Sequence, residues 1–340
     1  MTNKTYLLID TNNMLHRMKN LTQGDVWTKT GLSMHVLLTS IRKSWRDMNA
    51  DHVVFFLEGR SWRKAAVPTY KADRKLKYAA RSVEEQEADN YFNECMNDLI
   101  DWLHKRSNCT VIQNKIVEAD DLIARWVQTH PDDYNIIISS DSDFVQCVGK
   151  NCALYNGVQN VLIEPHQITD EKGRSLPFSV KSNSKIKIGK HNDDPIPIED
   201  DWIEWALFLK CIRGDSGDNV FSACPKANIK KIRAAFDDRH NRGYDWHNFM
   251  KQKWTDHNGV EKTVETAYQE NRMLIDLTQQ PDDIVAVLDE SIREATREPK
   301  SNLQIGAHLL KLCGKYELTK IKDFPRDYIE FLSAGYPHAD

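Results

Sequence analysis

Nine carboxylates at five separated places in this 340-residue chain carry its most informative chemistry. They are Asp10; Glu58; Glu118, Asp120 and Asp121; Asp141 and Asp143; and Asp215 and Asp218. Each group sits where an apolar run stops or a helical pattern starts. Carboxylates gathered within a few ångströms repel, and are tolerable together only with cations between them or with some protonated. Hard divalent cations take oxygen ligands, and magnesium prefers a few carboxylates plus waters. Two such ions roughly 3.5–4 Å apart can activate a water and stabilise the leaving oxygen of a phosphodiester. Neither Ser/His/Asp nor Cys/His spacing offers a rival nucleophile.

Each group also has a plainer reading. Asp10 alone could be a turn or cap residue. Glu118 to Asp121 could simply favour a helix N-terminus through its dipole. SSDSDF could be a turn plus a cap, and GDSGDN a turn. Taken together, the plain readings require five coincidences at one edge of a sheet.

A second signal is basic. Residues 60–81 carry Arg60, Arg63, Lys64, Lys71, Arg74, Lys75, Lys77 and Arg81 against one acid, Asp73, with Trp62 and Tyr70 interleaved. Placed directly after Glu58, such a segment would draw a phosphate backbone towards bound metal. Its aromatics could stack on an unpaired base. The competing reading is a solvated charge run.

The elements that must position these groups alternate in type. Tyr6 to Ile9, HVVFFLEG and YNIIISSD read as buried strands ending in Asp10, Glu58 and Asp141. Residues 31–48, with Leu32, Val36, Leu37, Ile41 and Trp45, read as a helix, as do residues 83–106, with Phe92, Cys95, Met96, Leu99 and Leu103 on one face. VEADDLIARWVQ opens with acids and continues as an amphipathic stripe. This alternation predicts an α/β fold with a mostly parallel sheet flanked by helices. Ligands then bind at the carboxyl ends of the strands, where the three acids stand.

Residues 165–200 are polar and rich in Pro, Gly, Ser and Lys, and read as a long loop or exposed hairpin. From Glu199 onward the pattern is helical. The expected division is an α/β domain over 1–200, holding the basic segment, and a helical region over 201–340 ending in a semi-separate lobe.

Composition sets limits. The hydrophobic share is 40%, the charged share 28% and the formal net charge −4, so the chain is no general basic coat for nucleic acid. Its seven scattered cysteines show no zinc spacing and read as reduced thiols of a cytoplasmic protein. No apolar run approaches the roughly 20 residues of a membrane helix.

The stretches LLIDTNNMLHR, FFLEGRSWRKAAVPTYKADRK, VEADDLIA, IISSDSDFVQ and KCIRGDSGDNV together resemble the flap-endonuclease-like 5′ nucleases of the PIN-like superfamily, in the family's order. Similarity spans roughly residues 5–236 and is greatest to the bacteriophage RNase H and 5′–3′ exonucleases of the T-even type. The resemblance implies two Mg²⁺ ions, with Mn²⁺ able to substitute. Asp10, Glu58, Glu118 and Asp120 would surround the first, with Asp121 close by; Asp141, Asp143, Asp215 and Asp218 would form the second. Residues 1–200 would be a PIN-like nuclease domain with a flexible basic arch at about 60–95, and 201–340 a duplex-binding region, a degenerate helix-hairpin-helix, with the C-terminal lobe. Lys71 and Arg74, in the YKxxR positions, would touch the scissile phosphate at the base of the arch, with Arg17 as an assisting or structural group. Arg63, Lys64, Lys75 and Lys77 would bind nucleic acid.

Two departures stand out. Glu58 replaces the family's usual Asp, although its longer side chain can still reach a metal. After GDSGDN the usual glycine-rich hairpin is replaced by VFSACPKANIKKI, which argues against a monovalent-ion site built from backbone carbonyls. Duplex grip would pass to Lys226, Lys230, Lys231 and Arg233, helped by a helix N-terminus near Pro225.

The resemblance implies a monomeric, metal-dependent hydrolase that acts as a structure-selective 5′→3′ exonuclease and flap endonuclease on branched, flapped or nicked DNA and on RNA hybridised to DNA. Removal of lagging-strand RNA primers in bacteriophage DNA replication would be its task, with a single-stranded-DNA-binding protein and a sliding clamp as partners. The alternatives are a PIN-like single-strand ribonuclease and a non-catalytic DNA-structure binder.

Overall fold

The computed structural model describes residues 3–21, 24–73, 78–255 and 259–337, without the side chains of 17–21. The chain opens with β1 (Thr5–Asp10), α1 (Thr11–Leu21), α2 (Val26–Asp47), β2 (His52–Leu57), the short α3 (Arg63–Ala66) and α4 (Val83–Arg106). Then come β3 (Thr110–Gln113), α5 (Ala119–Thr129), β4 (Tyr134–Ile138), a 3₁₀ turn (Ser142–Cys147) and β5 (Cys152–Asn156). These strands form a parallel sheet that β6 (Val161–Glu164) and β7 (Gln167–Asp170) extend antiparallel, in the order β3-β2-β1-β4-β5-β6-β7.

The strands exist because their residues are apolar on both faces. All six residues of β2 are buried, as are the last five of β1. A strand covered on both sides needs no alternation. β1 pairs with β2 on one edge and β4 on the other. Strand order therefore reverses at the β1/β4 boundary, which opens a crevice at their carboxyl ends.

Helices cover both faces. On one, Leu37, Leu38 and Ile41 of α2 and Phe92, Met96 and Leu99 of α4 share a core with Leu7 and Ile9. Helix α4 starts at a capping box, Ser82 with Glu85, which satisfies two orphan N–H groups. On the other face, Leu122, Ile123 and Trp126 of α5 pack with Leu8 and Phe56.

Residues 165–200 hold a second hairpin, β8 (Phe178–Val180) with β9 (Ile186–Ile188). The helical part begins with α6 (Trp202–Arg213), α7 (Ile229–Asp237) and α8 (Tyr244–Met250). A hairpin of β10 (Lys253–Thr255) and β11 (Glu261–Thr263) follows, then α9 (Val264–Ile275). Phe208, Ile232, Phe236, Phe249 and Tyr268 give α6 to α9 their own core.

The chain then returns to the sheet, where the arrangement differs from the expected end lobe. α10 (Asp282–Thr296) places Ile284, Leu288 and Ile292 in the α5 core. α11 (Ile305–Lys315), α12 (Thr319–Asp323) and α13 (Arg326–Ser333) place Leu309, Ile321, Phe331 and Leu332 in the β1–α2–α4 core. Residues 282–333 are thus part of the packing around the main sheet, and a boundary at 200 does not divide it. Among the described residues no helix is long and apolar enough to cross a membrane.

Candidate metal centre and substrate cleft

Asp10 ends β1, at the strand-order reversal. Its Oδ2 accepts from the Ser139 hydroxyl at 2.8 Å and its Oδ1 from the Asn13 N–H at 3.2 Å. Burial, with the charges of Asp141 and Glu58, nevertheless pushes its carboxyl up to about 7. Glu58 follows β2, and its Oε2 accepts the Ala119 N–H at 3.1 Å, across at the start of α5. The extra methylene thus reaches the helix end. Gly59 makes this approach possible, since a Cβ there would lie 1.9 Å from the Asn114 carbonyl oxygen.

Asp120, in the first turn of α5, is driven well above the usual carboxylate range by burial and by the charges of Asp10, Asp141 and Glu58, with Lys71 opposing. Asp141 caps the 3₁₀ turn, its Oδ1 accepting the Asp143 N–H at 2.9 Å. Burial, Asp141 and Asp215 raise Asp143, with Lys210 opposing.

Asp215 and Asp218 lie in the loop after α6. That loop turns at Gly214, whose φ is 76° and whose Cβ, if present, would meet the Val220 carbonyl oxygen at 2.4 Å. Glycine alone tolerates both demands. The Lys210 ammonium bridges Asp143 and Asp215, the latter at 2.9 Å. Burial acts upward on Asp215, but Lys210 and two backbone N–H groups hold it below its ordinary value.

Seven of the nine expected acids, Asp10, Glu58, Asp120, Asp141, Asp143, Asp215 and Asp218, line one cleft of about 1110 Å³. Lys71 and Lys210 line it with them. Among the described residues no three His, Cys, Asp or Glu side chains already form a closed metal-holding group. The donor set still fits a hard divalent cation, because it offers oxygens only and because its members raise one another's proton affinity.

Glu118 and Asp121 are placed elsewhere. Glu118 is buried and accepts from the Ser61 hydroxyl at 2.6 Å, Arg63 Nη1 at 2.9 Å and Lys71 Nζ at 2.5 Å. Asp121 is fully buried, and Arg63 donates to both its oxygens at 2.8 Å. The Trp62 indole N–H adds a bond at 3.1 Å. These two acids face a guanidinium rather than the cleft.

The same contacts correct the reading of the basic segment. Arg63, expected on a nucleic-acid surface, is 2% exposed, and Tyr70 is buried in the α6–α9 core. Neither is available to nucleic acid, and Trp62 is half-buried against Asp121 and the Arg63 guanidinium. Lys64, Lys226, Lys230 and Lys231 are exposed as expected. Arg74, Lys75 and Lys77 lie outside the described residues, as does the Arg17 side chain. The α7 N-terminus is capped by Asn228, whose side chain accepts the Lys230 N–H, so that helix starts later than Pro225. Arg233 is tied up by Glu199 and Asp237.

Sequence reading missed Lys210 and Ser139. Lys210 had a usable signal: it interrupts the apolar run WALFLKCI five residues before Asp215.

Residues 5–173 match the model of the 5′-3′ exonuclease N-terminal, resolvase-like domain. The chain belongs to the flap-endonuclease-like 5′ nuclease family. It is similar to the flap endonuclease Xni of Psychromonas ingrahamii, 27% identical over 184 residues, 51% of this chain and 64% of the relative. It is also similar to the flap endonuclease of Escherichia phage T5, 25% identical over 222 residues, 64% of each. The match therefore spans less than two thirds of the length of these curated relatives. Two solved structures share the fold. The T5 protein co-crystallised with metal ions superposes at TM-score 0.54 with 18% identity, over 96% of this chain and 99% of that one. The T5 flap endonuclease in a pseudo-enzyme–product complex with DNA and metal ions gives 0.55 with 18% identity, over 96% and 100%.

Proposed function

We propose that this member of the 5′ nuclease family is a metal-dependent, structure-selective 5′→3′ exonuclease and flap endonuclease. Its substrates would be flapped, branched or nicked DNA and RNA hybridised to DNA. The observation that carries this reading is the gathering of seven carboxylates from five chain segments in one cleft. A protein that only bound nucleic acid would gain nothing from such charges beside phosphate.

Asp10, Glu58 and Asp120 would hold one divalent ion, and Asp141, Asp143, Asp215 and Asp218 a second, Mg²⁺ being the natural choice with Mn²⁺ in its place. Such ions, when bound, supply an activated water and stabilise the leaving oxygen. Ser139 orients Asp10 through its hydroxyl, and the Ala119 N–H orients Glu58. Lys71 and Lys210 bring positive charge to the cleft, where the reacting phosphate gains negative charge. Arg63 neutralises Glu118 and Asp121 from behind and fixes the start of α5, so that Asp120 is presented forward.

Primer removal during replication, with a sliding clamp and a single-stranded-DNA-binding protein as partners, is the task this activity would serve. A 5′-labelled flap on duplex DNA, incubated with Mg²⁺ or with chelator, tests the reading. Metal-dependent release of the flap is expected, and an intact flap under both conditions would overturn it.

A further inference from the structure

The β8–β9 hairpin is assigned no part in the chemistry above, yet its turn forms one wall of the cleft. Ser182, Asn183, Ser184 and Lys185 line the same cavity as the acids. The hairpin is firmly seated. Phe178 packs on Trp202 at 4.8 Å between ring centres and lies in the α5 core, with Val180, Ile186 and Ile188 packed against that core. Arg213 Nε donates to the Ser182 carbonyl at 3.1 Å, and its Nη1 to the Ala227 carbonyl at 3.1 Å. The turn is thereby stapled to the loop that carries Asp215 and Asp218.

Strand alternation decides what the outer face presents. Phe178 faces Ile188 and Val180 faces Ile186, which fills the inner face. Lys187 opposes Ser179 on the outer face. One step further, Lys181 and Lys185 oppose each other, joined by a backbone bond of 2.8 Å. All three lysines are exposed. Like charges directly opposite across a hairpin are destabilising.

A second two-stranded hairpin among the described residues shows how such charges can be neutralised. On β10–β11, Lys253 pairs with Glu261 at 2.8 Å, and Lys262 reaches Glu270 at 2.7 Å. Lys181, Lys185 and Lys187 form no such pair with a described carboxylate. A seated strand pair holding three such cations on one face, with Lys185 lining the cleft itself, suits an anion that arrives with the substrate.

We propose that the β8–β9 hairpin is a phosphate-backbone clamp, in which Lys181 and Lys185, with Lys187 behind them, grip the sugar-phosphate strand that lies across the acid cleft. The proposal rests on the nuclease reading and adds a wall of the substrate site built by this hairpin. Each lysine would neutralise one phosphate and release condensed counterion, so the grip carries affinity and salt dependence without sequence preference.

The test is anisotropy of a labelled 5′-flapped duplex in Ca²⁺, titrated at several salt concentrations, followed by cleavage in Mg²⁺. Lys181→Ala/Lys185→Ala should weaken binding about tenfold and flatten the log–log salt slope by about 1–2, at roughly 0.9 for each phosphate no longer neutralised. Its kcat/KM should fall with the affinity. Lys181→Arg/Lys185→Arg should restore both, because charge and reach are kept. Lys253→Ala/Lys262→Ala, on the neutralised hairpin, should leave affinity and slope as in the parent. A Lys181→Ala/Lys185→Ala protein with the parent's affinity and slope would overturn the clamp while leaving the nuclease intact. A parent that neither binds nor cuts the flap would overturn both.

Discussion

Lys71 and Glu118 form an ion pair of 2.5 Å between the base of the basic segment and the N-cap of α5. Lys71 makes it from a left-handed backbone, φ 53°, with its own N–H given to the Asp218 carbonyl at 2.9 Å. Conformations of this kind cost of order 1–3 kcal/mol and persist where surrounding structure imposes them. The strain is held beside the acids, and Lys71 Nζ also lies 3.6 Å from Asp218.

We predict that Lys71→Met slows single-turnover flap cleavage by about 10²–10³-fold, the range for removing one preorganised charge from a transition state. Binding in Ca²⁺ should change much less than the rate. Quenched-flow cleavage beside anisotropy checks this. Equal losses in both would make Lys71 an ordinary electrostatic contact.

Neighbouring acids on α5 should part company. Asp120→Asn should abolish cleavage while leaving the metal-free fold as stable or more so, since it removes a repelling charge from the cleft. Asp121→Asn takes the bidentate carboxylate from a buried guanidinium that then keeps only Glu118, and should cost about 1–3 kcal/mol of stability. Urea melts in chelator together with flap cleavage decide it. The assignment fails if the two variants behave alike.

Divalent metal should stabilise the parent by about 2–3 kcal/mol at a hundredfold excess over its dissociation constant, by mass action. Asp143→Asn should be folded, inactive and less responsive. Melting with Mg²⁺ and with chelator at matched ionic strength measures the difference. Coincident midpoints in the parent would mean that the seven acids hold no ion.

Acid sensitivity should have a source far from the cleft. His52 is buried between the Ala334 carbonyl, 2.9 Å from Nδ1, and the Thr110 hydroxyl, 2.8 Å from Nε2. Burial pushes its pKa down to about 4, against 6.5 when unfolded. The unfolded chain binds the proton first, so stability present above pH 6.5 is lost as the pH falls towards 4, by on the order of 3 kcal/mol. His52→Gln should lose that much less than the parent between pH 7.5 and 4.5 in urea melts. Parallel losses would clear His52 of the role.

Much of this site was legible because strand burial and strand ending leave plain marks. TYLLID, HVVFFLE and YNIIISSD are apolar through both faces and stop at an acid, which places Asp10, Glu58 and Asp141 on one sheet edge. Helix 83–106 was legible from the apolar spacing on one face, and the structure gives the same bounds. Arg63 was misread because a charge run looks the same whether its members meet water or buried acids. Its partners, Glu118 and Asp121, lie more than fifty residues away in sequence. Helices α11 to α13 were misassigned for a related reason. Their apolar stripes show that a face is buried, but not whether it is buried on one another or on β1 and α2.

That last packing has a temporal side. β1 leaves the ribosome long before residues 305–333, whose helices shelter its Leu7 and Ile9 side. Tyr336 then stacks on Tyr6 with ring centres 6.0 Å apart. A nascent chain therefore holds β1, α2 and α4 with their shared core incomplete, and that core is closed only once those late helices have emerged.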